Sequence, residues 1–122
     1  MPIVDVRPVV SASQDLPAHA AQVIAESVAR VLSADPGRVW VRITELAKDR
    51  YAENGEVVDD NDLPVFVQVL HADWPTEDAR VQEAKALAMA VAGVLGRQVE
   101  RVNIEYAPPG RGRVAFGGKL VV

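Results

Sequence analysis

The chain has 122 residues, a length that fits one domain with a small buried core. It contains no cysteine, and its two histidines lack neighbours at ligand spacing, which excludes a disulfide framework and leads us to expect no metal site. The net charge of −4 argues against a nucleic-acid partner, and no apolar run reaches membrane-spanning length or follows a basic leader. We therefore expect a cytoplasmic protein with no membrane partner.

The first predicted element is a strand, "PIVDVRPVV", which begins at Pro2. If Met1 is removed, the nitrogen of Pro2 becomes a secondary amine at the chain terminus, a group that no other residue type supplies. On this dipeptide alone, the simpler interpretation is that the proline has no special role. The rest of the sequence has to decide between the two interpretations.

A helix is predicted next, from about Pro17 to Leu32, with Ile24 and Val28 on its apolar stripe. Proline fits the first turn of a helix, and "DPG" at Asp35 to Gly37 ends the periodic pattern. A second strand, "GRVWVRITEL", starts at Gly37. The polar stretch from Ala47 to Asp62 follows as a loop, and its "NG" pair predicts a tight hairpin turn.

The second half of the chain repeats this order. A strand "PVFVQVL" begins at Pro64, a helix begins after Pro75 with Thr76 as its cap, and Gly96 ends that helix before the strand "GRQVERVNIEYA". The pattern predicts a single domain, 1–122, with pseudo-repeats 2–46 and 64–107 and a C-terminal strand in 113–122. We expect that last strand, which has no partner in its own repeat, to add to a neighbouring subunit's sheet.

Each pseudo-repeat is a βαβ unit, so the predicted fold class is α+β: a four-stranded mixed sheet with two helices on one face. With the period of two of a strand, the valines face the helices. The reverse face then combines Trp40 and Phe66 with polar residues such as Asp5, Arg42 and Asn103. Exposed aromatic side chains of this kind indicate a contact surface, so we expect this face to meet other subunits.

These residues together resemble the tautomerase superfamily built around 4-oxalocrotonate tautomerase. The resemblance lies in the strand that Pro2 opens, in "VWVRITELAKDRYAENGE" from Val39 to Glu56, and in "GRGRVAF" from Gly110. The doubled length is similar to the macrophage migration inhibitory factor and malonate semialdehyde decarboxylase branches. The resemblance implies a homotrimer with active sites at subunit boundaries, no cofactor, and an N-terminal proline nitrogen that acts as the general base.

The resemblance implies site roles for Pro2 and Tyr51, whereas Arg42 is a candidate because it lies two residues beyond Trp40, where 4-oxalocrotonate tautomerase has an arginine. Pro2 is the catalytic base, and burial would lower the pKa of its amine toward the working pH. Arg42 is the candidate for binding a substrate carboxylate, because the guanidinium fork donates two parallel hydrogen bonds to the carboxylate oxygens. Trp40 and Tyr51 are candidate apolar walls, and Asn103 stands where one branch of the family carries a pocket aromatic.

Each candidate has a structural alternative. Arg42 is equally expected to pair with Glu105 or Asp5 at a subunit boundary, Trp40 to pack in an interface, and Tyr51 to lie in a surface loop. The sequence also departs from the family pattern, because Trp40 replaces an arginine of 4-oxalocrotonate tautomerase and "HADWP" replaces the arginine pair of the decarboxylases and dehalogenases.

The predicted function is therefore tautomerisation or isomerisation of a small anionic keto or enol acid, with Pro2 as base. Two alternatives remain open at this point. One is a related dehalogenation, hydration or decarboxylation of a small acid, against which the missing arginine pair counts. The other is a catalytically silent family member that binds a ligand or only assembles.

Overall fold

The computed structural model describes all 122 residues and contains two α-helices and seven strands. Their bounds are β1 Ile3–Val10, α1 Ala20–Leu32, β2 Trp40–Ile43, β3 Leu46–Ala47, β4 Val65–Leu70, α2 Glu77–Leu95, β5 Val102–Tyr106, β6 Ala115–Phe116 and β7 Lys119–Leu120.

The main sheet has the order β2-β1-β4-β5. β1 is parallel to β2 and β4 is parallel to β5, whereas β1 and β4 run antiparallel, so two βαβ units meet at the centre of the sheet. The α+β fold class is confirmed. The sheet has five strands rather than four, because the chain after β2 pairs a second time with the end of β1, where Val9 lies opposite Leu46.

The core lies between one face of the sheet and the two helices. It confirms the predicted valine face: β1 and β4 each contribute alternate, almost fully buried valines, and α1 and α2 contribute their apolar stripes. Burial of side chains of this size stabilises the fold by about 1.5–3 kcal/mol each. The central members are Val4, Val6, Val65, Val67, Val69, Ile24, Val28, Leu87 and Val91.

The ends of the helices follow local side-chain chemistry. Thr76 Oγ1 accepts a hydrogen bond from the Ala79 amide at 3.3 Å, and Gly96 ends α2 in the left-handed conformation, both as predicted. Helix α1 begins at Ala20, three residues later than the sequence predicts. His19 has a φ of 57°, and this left-handed residue interrupts the helix that the proline would otherwise start. Neither helix combines the length and apolarity needed to cross a bilayer.

The C-terminal segment forms a hairpin of two short strands rather than the single strand expected from the sequence. β6 pairs with β7 in antiparallel fashion, and the turn between them is Gly117–Gly118, with φ values of 57° and 80° that suit glycine. Two adjacent glycines therefore give the segment a partner within its own chain. The predicted turn at Asn54–Gly55 is also present, closed by a bridge between Glu53 and Glu56.

Candidate functional site

Pro2 lies at the end of the sheet where β1 and β2 begin and β4 ends. Its ring is buried, and its carbonyl oxygen accepts a hydrogen bond from the Trp40 amide at 3.1 Å. Ile3 is opposite Leu70, the last residue of β4. With Met1 attached, the Pro2 nitrogen is a tertiary amide and carries no exchangeable proton. Only a chain that begins at Pro2 has a base at this position.

Aromatic side chains cover this end of the sheet. Trp40 meets Phe116 of β6 edge to face, with ring centroids 4.8 Å apart, and its indole nitrogen donates to the Gly37 carbonyl at 3.2 Å. The C-terminal hairpin therefore reaches the neighbourhood of Pro2. Phe116 was missed as a site residue by the sequence analysis, although it belongs to the "GRGRVAF" segment that carried part of the resemblance.

Arg42 is held by a carboxylate of its own chain. Its Nε and Nη2 donate to Asp5 Oδ1 and Oδ2 at 2.6 and 2.9 Å, across the register that pairs β1 with β2. The hydrogen bond from Arg42 to Asp5, and then the charge of that carboxylate, raise the pKa of the guanidinium. The pair is exposed, with 68% of the Arg42 side chain accessible. Of the two partners expected for Arg42, Asp5 is the one observed, and Glu105 accepts a hydrogen bond from the Gln68 side chain instead.

The reverse face of the sheet is concave and forms a cavity of about 810 Å³. Arg42 and Asn103 both line it, together with Phe66 and the exposed Arg7. Pro2 and Trp40 do not line it. The structure thus groups two of the predicted substrate-binding residues in this cavity and leaves the predicted base at the end of the sheet.

Tyr51 is fixed at the other end of the sheet. Its hydroxyl donates to Glu53 Oε2, which Arg101 also binds, and its ring lies 5.8 Å from that of Phe66. The bond to Glu53, followed by burial, raises the pKa of the phenol. Phe66 is opposite Arg7 on β1, five positions beyond Pro2, a separation of about 16 Å along an extended strand. One protomer therefore does not bring Tyr51 to Pro2.

A second polar cluster lies beyond the end of β4. Glu83 of α2 accepts from the Tyr106 hydroxyl at 2.6 Å and binds His71 Nε2 at 2.9 Å. Burial, and then the bond to Glu83, raise the pKa of the Tyr106 phenol. Nearby, the Arg80 guanidinium stacks on the Trp74 ring at 4.8 Å. From the sequence, "HADWP" was noted only because it stands where the decarboxylases and dehalogenases carry an arginine pair. The sequence pattern does not show that α2 packs against this segment.

No three histidine, cysteine, aspartate or glutamate side chains converge in a way that could hold a metal ion. The groups available for chemistry are a buried proline just before β1, an arginine already bound to a carboxylate, the cluster of His71, Glu83 and Tyr106, and aromatic rings at both ends of the sheet.

Comparison with known structures identifies the fold. The chain is similar to a fused 4-OT wild-type symmetric trimer, with 17% identity, a TM-score of 0.75, and coverage of 98% of this chain and 94% of the other. It is similar to the macrophage migration inhibitory factor from Oncomelania hupensis, with 18% identity, a TM-score of 0.74, and coverage of 99% and 82%.

A third similar structure is the FG41 malonate semialdehyde decarboxylase inhibited by 3-bromopropiolate, with 16% identity, a TM-score of 0.66, and coverage of 94% and 90%. No family model matches the chain, and no curated protein matches its sequence. All three similar structures are tautomerase superfamily members. The fold of this chain is therefore that of the tautomerase superfamily, which confirms the resemblance found in the sequence.

Proposed function

We propose that the protein is a cytoplasmic, cofactor-independent tautomerase or isomerase of small anionic keto or enol acids, with the Pro2 nitrogen as general base. The observation that carries this proposal is the position of Pro2. It is buried beside Trp40 at the head of the central strand, in a fold shared with known tautomerase superfamily members. A partly apolar environment disfavours the ammonium form of an amine and so favours the basic form.

The complete site needs more than one copy of the chain. Pro2 and Tyr51 lie at opposite ends of the same sheet, so a pocket that contains both is built from two protomers. The similar fused 4-OT structures form trimers, and we propose a homotrimer here as well. In this arrangement Trp40 and Tyr51 wall the pocket, while Arg42 and Asn103 contact the substrate from the concave face.

A second candidate function is ligand binding without catalysis. The pairing of Arg42 with Asp5 favours it, because a guanidinium that already binds a carboxylate of its own chain is less available to hold a substrate in the orientation that catalysis requires. The related dehalogenase, hydratase or decarboxylase activity has no comparable observation in its favour.

The test compares two proline substitutions, one just before β1 and one within it. Pro2→Ala replaces the ring nitrogen with the primary amine of alanine, whose direction no ring fixes, and Pro8→Ala is the matched control, since Pro8 is also buried but lies within β1, six positions away. After intact mass shows that Met1 is absent, ketonisation of phenylenolpyruvate and 2-hydroxymuconate is followed by absorbance. We expect Pro2→Ala to lose about a hundredfold in rate, the scale of general base catalysis, and Pro8→Ala to stay active.

Light scattering on both variants checks that each keeps the mass of a trimer. Unchanged turnover in Pro2→Ala would show that catalysis does not need the proline ring nitrogen and would contradict the proposal. A Met1-free wild-type trimer that binds these acids without converting them would favour the silent alternative.

A further inference from the structure

The side chain of Met1 sits in a space that one glycine leaves open. Gly110 is buried, and a Cβ atom built on it would overlap Met1 Cε and lie 3.3 Å from both Leu70 Cδ1 and Val114 Cγ2. At every other glycine of the chain, an added Cβ would meet no atom within 4 Å. Gly110 also lacks a positive φ, so its backbone conformation is open to any residue. Glycine at this position therefore matters because it has no side chain to fill the space, and not because of its backbone conformation.

The walls of this space do not depend on Met1. The Gly110 amide donates to the His71 carbonyl at 2.8 Å, and the next amide, that of Arg111, donates to Ala72 at 3.1 Å. The Gly110 carbonyl in turn accepts from the Val114 amide at 3.0 Å. These bonds fasten the turn to the end of β4. We expect the space to keep its shape when Met1 is removed.

The space is continuous with the proposed base. Met1 is covalently bonded to the Pro2 nitrogen, and its side chain ends against Gly110. Removal of Met1 therefore vacates a path from the nitrogen to the turn, where its far end lies beside Gly110, Leu70 and Val114. Its far end is apolar and about as wide as an unbranched chain, because it fits a methionine side chain. The hydrophobic effect stabilises an apolar tail buried there, and the gain increases with each methylene that the tail buries.

We infer that this vacated path is a substrate subsite for an unbranched aliphatic tail, and that Gly110 determines specificity there. The inference rests on the proposed function and names its substrate class, a 2-keto acid or its enol with an aliphatic chain beyond the reacting carbon. Pro2 removes a C3 proton, the electrons of that C–H bond form the C2=C3 double bond of the enolate, and reprotonation restores the keto acid. The tail lies in the path during both steps.

The experiment measures exchange of C3 protons in D₂O by NMR, because each cycle returns a deuteron from solvent. Met1-free protein is given 2-oxohexanoate or pyruvate, which has no tail. We expect faster exchange of 2-oxohexanoate. In Gly110→Ala the rate ratio of the two acids should fall about tenfold, the lower end of what one methylene contributes in an apolar pocket. Gly93→Ala is the matched control, because Gly93 is exposed on α2 and an added Cβ would meet no atom within 4 Å, so its ratio should stay at the wild-type value.

Binding separates failure of the subsite from failure of the proposed function. Calorimetry with hexanoate and acetate is carried out on Met1-free protein and on protein that retains Met1 behind an uncleaved N-terminal extension. Absence of any exchange would refute catalysis by Pro2, whereas hexanoate binding confined to the Met1-free form, and weakened in Gly110→Ala, would still support the subsite. Equal hexanoate binding by both forms, or a rate ratio unchanged by Gly110→Ala, would overturn the inference.

Discussion

The pairing of Arg42 with Asp5 makes a prediction that a substrate-binding arginine must satisfy. If Arg42 binds the substrate carboxylate, Asp5 competes with the substrate for the same guanidinium. Asp5→Asn keeps the shape of the side chain but removes its charge. The KM for an anionic substrate should then fall, while Arg42→Ala should raise it.

The exposure of the pair sets the size of the effect. Both side chains are accessible, 68% for Arg42 and 41% for Asp5, and an ion pair in such surroundings changes an equilibrium by about fivefold or less. Asp5→Asn should therefore lower KM about two- to fivefold. Loss of two charge-assisted hydrogen bonds to a carboxylate is a larger change, so Arg42→Ala should raise KM about tenfold or more.

The assay is steady-state ketonisation of phenylenolpyruvate by Met1-free protein, with kcat as the internal control. Both substitutions act on binding, so kcat should change less than KM. The double variant should behave as Arg42→Ala alone, because Asp5 has no effect without its guanidinium partner. A KM that is unaltered in Arg42→Ala would assign the arginine to structure only and refute the reasoning.

Two further predictions concern parts of the fold that hold the site in place. Arg97 donates to the Leu63 and Val9 carbonyls at 2.9 Å each, so Arg97→Ala should lower the free energy of unfolding by about 2–3 kcal/mol in a urea titration, and an unchanged midpoint would show that water replaces it. Because Glu53 is the main cause of the raised pKa of Tyr51, Glu53→Gln should lower that pKa in a phenolate absorbance titration, with Tyr106→Phe as the background; a constant midpoint would contradict this.

Local sequence patterns predicted most of the architecture. Alternation in β1 and β4 assigned the buried face, and the cap at Thr76 and the glycine at Gly96 marked the ends of α2. These features depend on residues close together in the chain. The late start of α1, at the left-handed His19, and the second pairing of the chain with β1 at β3 are not marked by any of these local patterns.

The candidate site was only partly predictable for the same reason. The sequence placed Arg42 on the reverse face but could not choose between Asp5 and Glu105, because the choice depends on the register between β1 and β2. Phe116 and Gly110 acquire their roles from the return of the C-terminal hairpin to the start of the sheet. The resemblance supplied the roles of Pro2 and Tyr51, and the structure adds that they lie too far apart to act within one protomer.

The most direct measurement is a pH titration of the Pro2 nitrogen by ¹⁵N NMR in catalytically active protein labelled at proline. A free terminal amine should titrate, with a pKa below that of an exposed prolyl amine, and kcat/KM should decline as the nitrogen becomes protonated at lower pH. A nitrogen that keeps the chemical shift of a tertiary amide at every pH, in protein that still turns over substrate, would contradict the account.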